Sequence, residues 1–401
     1  MSSSLRYVVV GGGIVGAAIA RALTQTDERA SVTVLEKEPA PAMHQTSRNS
    51  GVVHAGLYYT PGSAKARFSR RGVGLLRTYC EQKGLTYDAC GKLLVALDER
   101  ERQRMDDIHA RATANGVPGV RLLTGPELAE VEPHVRGIAG LHSPTTAIVD
   151  FAEIATTMLA DAIAAGAEVR TGFEVCGFDQ SATEVVVHAR RGDALAADHV
   201  VVAAGLQSDR LARLAGADEF PRIVPFRGEF ALLRPERRAL VRGLVYPVPD
   251  PRYPFLGVHL TRRVDGEVMV GPNAVLALAR EGYRRRDIDV GEIRRLIGWG
   301  AFRRFAWQNR RTAIREMYSS LNPRAFAAAA RRYLPQLDAG DLVPARSGIR
   351  AQAMDADGTL VDDFRVSRRG RIMCIRNAPS PAATASLAIA DDVVAELRGG
   401  A

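Results

Sequence analysis

The sequence predicts a mixed α/β fold. A continuous apolar run, Leu5–Val10, leads into G-x-G-x-x-G at Gly11, Gly13 and Gly16 and then into helical spacing over Ile14–Leu23. A second apolar run, Ser31–Leu35, ends in an acid, Glu36. Further strand-like runs recur far downstream at Glu184–Val187, His199–Ala203 and Arg371–Ile375, the last leading through Asn377–Thr384 into a helix to about Leu397.

Each element has a physical reason. Leu5–Val10 is β-branched and apolar on both faces, the pattern of a buried parallel strand. The first glycine allows a tight turn, the second lets backbone approach a pyrophosphate, and the third lets the helix sit close to the strand. Ala17, Ala18 and Ala20 are small enough for that packing. The helix start offers free N–H groups and a positive dipole end to phosphate. Glu36, 20 residues after Gly16, is placed to accept hydrogen bonds from a ribose diol and argues against a 2′-phosphate. The motif alone does not separate NAD from FAD. The polar stretch His44–Gly62 and the strand running into A-A-G-L-Q-S-D at Ala203–Asp209 favour FAD, because they offer a second backbone approach to a dinucleotide. Small residues at the start of the last helix suit negative charge at the flavin pyrimidine end.

At 401 residues, 46% hydrophobic and 25% charged, the chain has room for one large or two intertwined domains. Disordered, collagen-like and coiled-coil classes are excluded. The four cysteines, Cys80, Cys90, Cys176 and Cys374, lack zinc-ligand or C-x-x-C spacing, so reduced thiols, no metal and a cytoplasmic location are expected. Tyr7–Ala20 is too short for a membrane span and lacks the flanks of a signal peptide.

Several stretches carry a family resemblance: N-S-G-V-V-H-A-G-L-Y-Y-T-P-G-S-A-K-A-R-F (Asn49–Phe68), Y-D-A-C-G-K-L-L-V-A (Tyr87–Ala96), P-F-R-G-E-F (Pro225–Phe230), P-F-L-G-V-H-L-T-R (Pro254–Arg262), V-G-P-N-A-V-L-A (Val270–Ala277), G-I-R-A-Q (Gly348–Gln352) and N-A-P-S-P-A-A-T. With Y-P-V-P-D-P (Tyr246–Pro251) and V-D-D-F (Val361–Phe364), they run in order over nearly the whole chain. The chain resembles the FAD-dependent L-2-hydroxyglutarate dehydrogenases/oxidases within the D-amino-acid-oxidase-like superfamily. The resemblance implies a Rossmann-like FAD domain from residues 1–85, 145–215 and 340–401. It also implies a mostly antiparallel substrate domain from 86–144 and 216–339. Weak alternation over Phe226–Leu233 and Glu267–Val270 suits such a half-exposed sheet.

The cofactor contacts so implied are Gly11, Gly13, Ile14, Val15, Gly16, Glu36 and Lys37; Asn49, Ser50 and Gly51; Val175, Ala204 and Gly205; and Pro381, Ala382, Ala383 and Thr384. Oxidising a dicarboxylic 2-hydroxy acid needs a carboxylate anchor, a proton acceptor and orientation toward the cofactor. Arg350 in G-I-R-A-Q is the expected anchor, since a guanidinium grips a carboxylate with two parallel hydrogen bonds. His54 and His259 are alternative bases. His54 has a second reading, because some superfamily members attach flavin covalently through a histidine in a similar segment. Tyr59, Lys65 and Asn273 are candidate contacts for the distal carboxylate, and Asn377 is a further candidate substrate contact. The implied activity is oxidation of L-2-hydroxyglutarate to 2-oxoglutarate, with electrons passed to oxygen or a quinone. The alternative is the same chemistry on another 2-hydroxy acid, an amino or imino acid, or glycerol 3-phosphate.

The formal charge of +9 first suggests nucleic acid or an anionic surface. No nucleic-acid motif is present, so no nucleic acid partner is expected. Between Arg280 and Met317, eleven arginines face five acids, giving +6, and both tryptophans lie there, Trp299 and Trp307. Such a segment is either a solvated helical pair or an amphipathic face for peripheral contact with the inner membrane.

Overall fold

The computed structural model describes residues 4–250 and 257–399. The Tyr246–Pro251 and Pro254–Arg262 stretches therefore lie partly outside the described residues.

The apolar runs form a six-stranded sheet in the order Arg365–Arg369, Ile372–Asn377, His199–Val202, Arg6–Val10, Ser31–Leu35, Glu168–Arg170. Every neighbouring pair is parallel except the edge hairpin 365–377. Four helices cover one face: Ile14–Thr26, Ala64–Lys83, Phe151–Ala164 and Ala382–Gly399. A three-stranded antiparallel sheet, Val175–Gln180, Val185–Ala189 and Ala194–Ala197, covers the other with the helix Ser208–Leu214. Both faces are thus buried, which is why Val8–Val10 and Val200–Val202 are apolar without alternation. The first helix and the last pack at short range because their contact faces are Ala-rich: Ala17, Ala18, Ala385 and Ala388 are all fully buried.

A second, eight-stranded sheet runs Leu342–Pro344, Ala231–Leu233, Val268–Gly271, His259–Arg262, Leu244–Pro247, Lys92–Ala96, Ala139–Ser143, Arg121–Thr124. It is antiparallel apart from the parallel pairing of Leu244–Pro247 with Lys92–Ala96. A third sheet pairs Arg222–Gly228 with Gly348–Met354 and Val275–Leu276. Phe226–Leu233, which reads as one strand, is therefore divided between two sheets. The break falls at Glu229, whose backbone N–H donates to Asn273 Oδ1 (2.8 Å) and whose carboxylate accepts from Asn273, Arg285 and Ser320.

The basic segment folds as three short helices, Val290–Gly298, Gly300–Gln308 and Arg310–Leu321. Not all of its charge reaches the surface. Arg280 is buried and holds both Asp209 and Glu292 (3.1 Å to the latter), and Glu292 is itself buried and paired with Arg210 and Arg295. Its apolar residues are unevenly placed. Phe302 is in the core, whereas Trp307 is 69% exposed, and Ile314, Met317, Tyr318 and Leu321 all lie open to solvent. These last four stand at i, i+3, i+4 and i+7, one stripe of one helix.

Candidate active site

The dinucleotide end is built where three strand ends meet. Gly11 has φ +114, and a Cβ there would lie 2.4 Å from the carbonyl oxygen of Ala203. A Cβ on Gly16 would lie 1.9 Å from the Gly11 carbonyl oxygen. The glycines are thus fixed by backbone–backbone approach. Ala203 N–H donates to Val10 O, bringing Ala204 and Gly205 beside the turn. The helix Ile14–Thr26 has no side-chain N-cap, so its first turn, with Gly13, Val15 and Gly16, is open to an anion, while Ile14 N–H donates to Thr46 Oγ1 (3.0 Å). Glu36 is buried and accepts from Gly12 N–H (2.8 Å) and Glu38 N–H (2.9 Å), which aims its carboxylate at the turn. Val175 packs in one cluster with Val10 and Leu35 at the same strand ends. This cradle fits a dinucleotide: nothing but glycine clears its backbone, and it presents an open helix start and a fixed acid.

Lys37 turns elsewhere, donating to Glu38 (2.5 Å) and Glu281 (2.9 Å) in a network with His44. The Asn49 amide shapes its own loop, donating to Gln45 O and Thr46 O and accepting from Gly51 N–H. Gly51 has φ +73 and approaches Val149 O, where a Cβ would be 2.6 Å away.

The reacting end lies where the sheets converge. His54 follows the short strand Val52–Val53, and its backbone N–H donates to Thr384 Oγ1 (3.1 Å) at the start of the last helix, beside Pro381, Ala382 and Ala383. Its carbonyl accepts from Ser69 Oγ (2.9 Å). His259, Tyr246 and Lys92 come from three adjacent strands of the eight-stranded sheet and share one face. The His259 ring stacks on Tyr246 at 3.9 Å and 11°, and its Nδ1 lies 3.0 Å from Thr261 Oγ1. Lys92 Nζ lies 3.8 Å from the centre of the Tyr246 ring and 4.8 Å from that of the Tyr58 ring. Arg350 enters from the third sheet, opposite Phe226.

These groups act on one another. Burial, then the positive charges of Lys92, Arg350 and Lys65, push His54 down to about 3. Burial, then Lys92, Arg350 and His54, hold His259 well below the ordinary imidazole range. Both rings are therefore held in the neutral form near pH 7. Burial lowers Lys92 to about 7 and also lowers Arg350, which Tyr246 partly offsets. Burial, then Asp362 and Tyr246, raises the Tyr59 phenol. The site is a buried, cationic corner lined by tyrosines.

Among the expected substrate contacts, Lys65 and Tyr59 reach this corner, although Lys65 is paired with Asp362 (2.7 Å). Asn273 is taken up by Glu229, and the Asn377 amide donates to Val361 O (3.1 Å) and Asp363 O (2.9 Å). The Ser50 hydroxyl partly offsets the burial that raises the Tyr246 phenol. Sequence reasoning passed over Lys92, Tyr58 and Tyr246. The available signal was a lysine heading the apolar run K-L-L-V-A in a chain with 54 basic residues of which nearly all are arginine.

Residues 6–397 match the family model described as FAD dependent oxidoreductase. The chain is 42% identical to human mitochondrial L-2-hydroxyglutarate dehydrogenase over 413 residues, covering 99% of this chain and 89% of that protein. It is 41% identical to the L-2-hydroxyglutarate dehydrogenase of Escherichia coli K12 over 392 residues, covering 98% and 93%. In fold it is similar to an L-alpha-glycerophosphate oxidase from Mycoplasma pneumoniae solved with FAD bound, with TM-score 0.81 at 23% identity over 98% and 95% of the two chains. The glycine cradle, the fixed acid at Glu36 and a match spanning both ends of the molecule lead to one conclusion: the chain belongs to the FAD-dependent oxidoreductase family.

Proposed function

We propose that the protein oxidises L-2-hydroxyglutarate to 2-oxoglutarate. The observation that carries this is the corner where Lys92 and Arg350 are brought together with the neutral rings of His54 and His259, walled by tyrosines. A small anionic hydroxy acid matches it in charge, and relatives at 41–42% identity are named for that substrate.

FAD supplies the hydride acceptor when bound. Arg350 grips the carboxylate next to the reacting carbon. A neutral imidazole accepts the hydroxyl proton, and both candidates are neutral in the resting site. His259 is the one oriented by a third group, Thr261, on a rigid sheet, which favours it as the base. His54 then shapes the wall tied to Thr384. We place the cofactor on residues 1–85, 145–215 and 340–401, and the substrate on residues 86–144 and 216–339. Anaerobic addition of L-2-hydroxyglutarate should bleach the flavin spectrum. Full bleaching by an amino acid with none by the hydroxy acid overturns the reading.

The exposed stripe of Ile314, Met317, Tyr318 and Leu321, with Trp307 and Arg303, Arg304, Arg310 and Arg311 around it, is our proposed contact with an anionic membrane surface, where a quinone would accept the electrons. No helix among the described residues is long and apolar enough to cross a membrane. Sedimentation with anionic liposomes should carry the protein down, and Ile314→Asp with Tyr318→Asp should release it. A parent protein that stays in solution refutes the contact.

A further inference from the structure

Two donors in the corner face one another's surroundings without an acceptor. Lys92 is 2% exposed, and its Nζ lies against two rings, Tyr246 and Tyr58. Among the described residues no carboxylate pairs with it. The Tyr58 hydroxyl is buried and has no hydrogen-bond partner among them either. A buried ammonium and a buried phenol without acceptors are costly, unless a ligand brings the acceptor. The other titratable and charged groups that act within this corner are His54, His259, Arg350, Lys65, and Tyr59 and Cys90 near Tyr246. Lys65 differs from Lys92 because Asp362 already answers its charge.

We propose that Lys92, whose Nζ lies 4.8 Å from the Tyr58 ring, is the subsite for the second carboxylate of the substrate, and so makes this site select dicarboxylic over monocarboxylic hydroxy acids. This rests on the proposed oxidation of a 2-hydroxy acid. Arg350 takes the carboxylate next to the reacting carbon, and Lys92 takes the far one from the eight-stranded sheet. The dianion then meets two cations in a site with no acid of its own against either histidine.

The test compares L-2-hydroxyglutarate with L-2-hydroxypentanoate, which has the same number of carbons and lacks only the far carboxylate. Lys92→Met keeps the stem packed on Tyr246 and removes the charge. The ratio of kcat/KM values for the two acids should fall about 10- to 100-fold, mainly through KM, as expected for losing one charged hydrogen bond. Equal losses on both acids overturn the proposal while leaving the oxidation intact. A parent flavin that L-2-hydroxyglutarate does not reduce overturns both. If Lys92→Met does not fold, the parent protein still decides. Burial holds Lys92 well below the ordinary ammonium range and both histidines are neutral, so the preference for L-2-hydroxyglutarate over L-2-hydroxypentanoate should fall as pH rises from 6 to 8.5. A ratio that does not move with pH overturns the assignment.

Discussion

Two glycines on one helix give a controlled measure of how closely the cofactor-side helices must approach. Gly72 and Gly74 both lie inside Ala64–Lys83, so alanine at either gains about 0.5–1 kcal/mol of helix propensity. Gly74 has nothing within 4 Å of an added Cβ. At Gly72 that Cβ would lie 2.4 Å from Thr384 O and 2.7 Å from Ala385 Cα, where ordinary contact begins at 3.4 Å. Both neighbours are backbone of the last helix, so no side chain is able to swing away. Overpacking of this kind costs about 1–3 kcal/mol, and a backbone clash belongs at the upper end. Gly74→Ala should therefore stabilise by about 0.5–1 kcal/mol, and Gly72→Ala should destabilise by about 2 kcal/mol. At roughly 2 cal/mol/K per residue, the two variants should differ by about 3–4 °C in Tm. The clash also pushes on Thr384, whose hydroxyl fixes the His54 backbone, so Gly72→Ala should lose FAD at a lower temperature than Gly74→Ala. Thermal unfolding followed by circular dichroism and by flavin fluorescence measures both. Equal or higher stability of Gly72→Ala would refute the close-approach argument.

Arg350→Lys should lower kcat/KM for L-2-hydroxyglutarate by on the order of 100-fold, because an ammonium cannot make two parallel hydrogen bonds; steady-state kinetics with a dye acceptor checks it. Arg280→Met should destabilise by about 3–5 kcal/mol in urea unfolding, since it strands Asp209 and Glu292 in the interior; a change under about 1 kcal/mol would mean that water reaches them. Stability should fall on the acid side. His54 and His259 are held below their unfolded value of about 6.5, so the unfolded chain binds more protons there. The protein should lose up to about 1.4 kcal/mol per pH unit and per histidine from near pH 6.5 downward, His54 levelling off near pH 3. Replacing both by Gln should flatten that slope in urea titrations at pH 7, 6 and 5.

The dinucleotide end was legible because its rules are local. Leu5–Val10, Gly11–Gly16 and Glu36 each do their work within one strand–turn–helix–strand unit, and the structure places the strand at Arg6–Val10, the helix at Ile14–Thr26 and the second strand at Ser31–Leu35. The reacting end was legible only in part, since its residues meet through long-range pairing. Lys92 and His259 face the same corner because Lys92–Ala96 pairs with Leu244–Pro247, which pairs with His259–Arg262. Nothing in the spacing of 92 and 259 gives that register. Asn49, Asn273 and Asn377 look like ligand contacts as letters, and only the backbone around them reveals that their amides hold loops together. The basic segment has the same lesson in charge. Arg280 counts toward the +9, yet it is a core ion with two acids.

The strand order has a consequence for how the chain is made. Ile372–Asn377 lies second from one edge of the parallel sheet, against His199–Val202, and the last helix covers the first. Leu342–Pro344 is an edge strand of the eight-stranded sheet, and Gly348–Met354 an edge strand of the sheet built on Arg222–Gly228. Neither half of the molecule has all its strands until almost the whole chain has left the ribosome. Apolar strands such as Val8–Val10 and Leu93–Ala96 must wait uncovered through most of synthesis. A chain laid out in this way offers chaperones long-lived sticky segments, and a truncation that removes only the last thirty or so residues takes away the strand and the helix on which the first half depends.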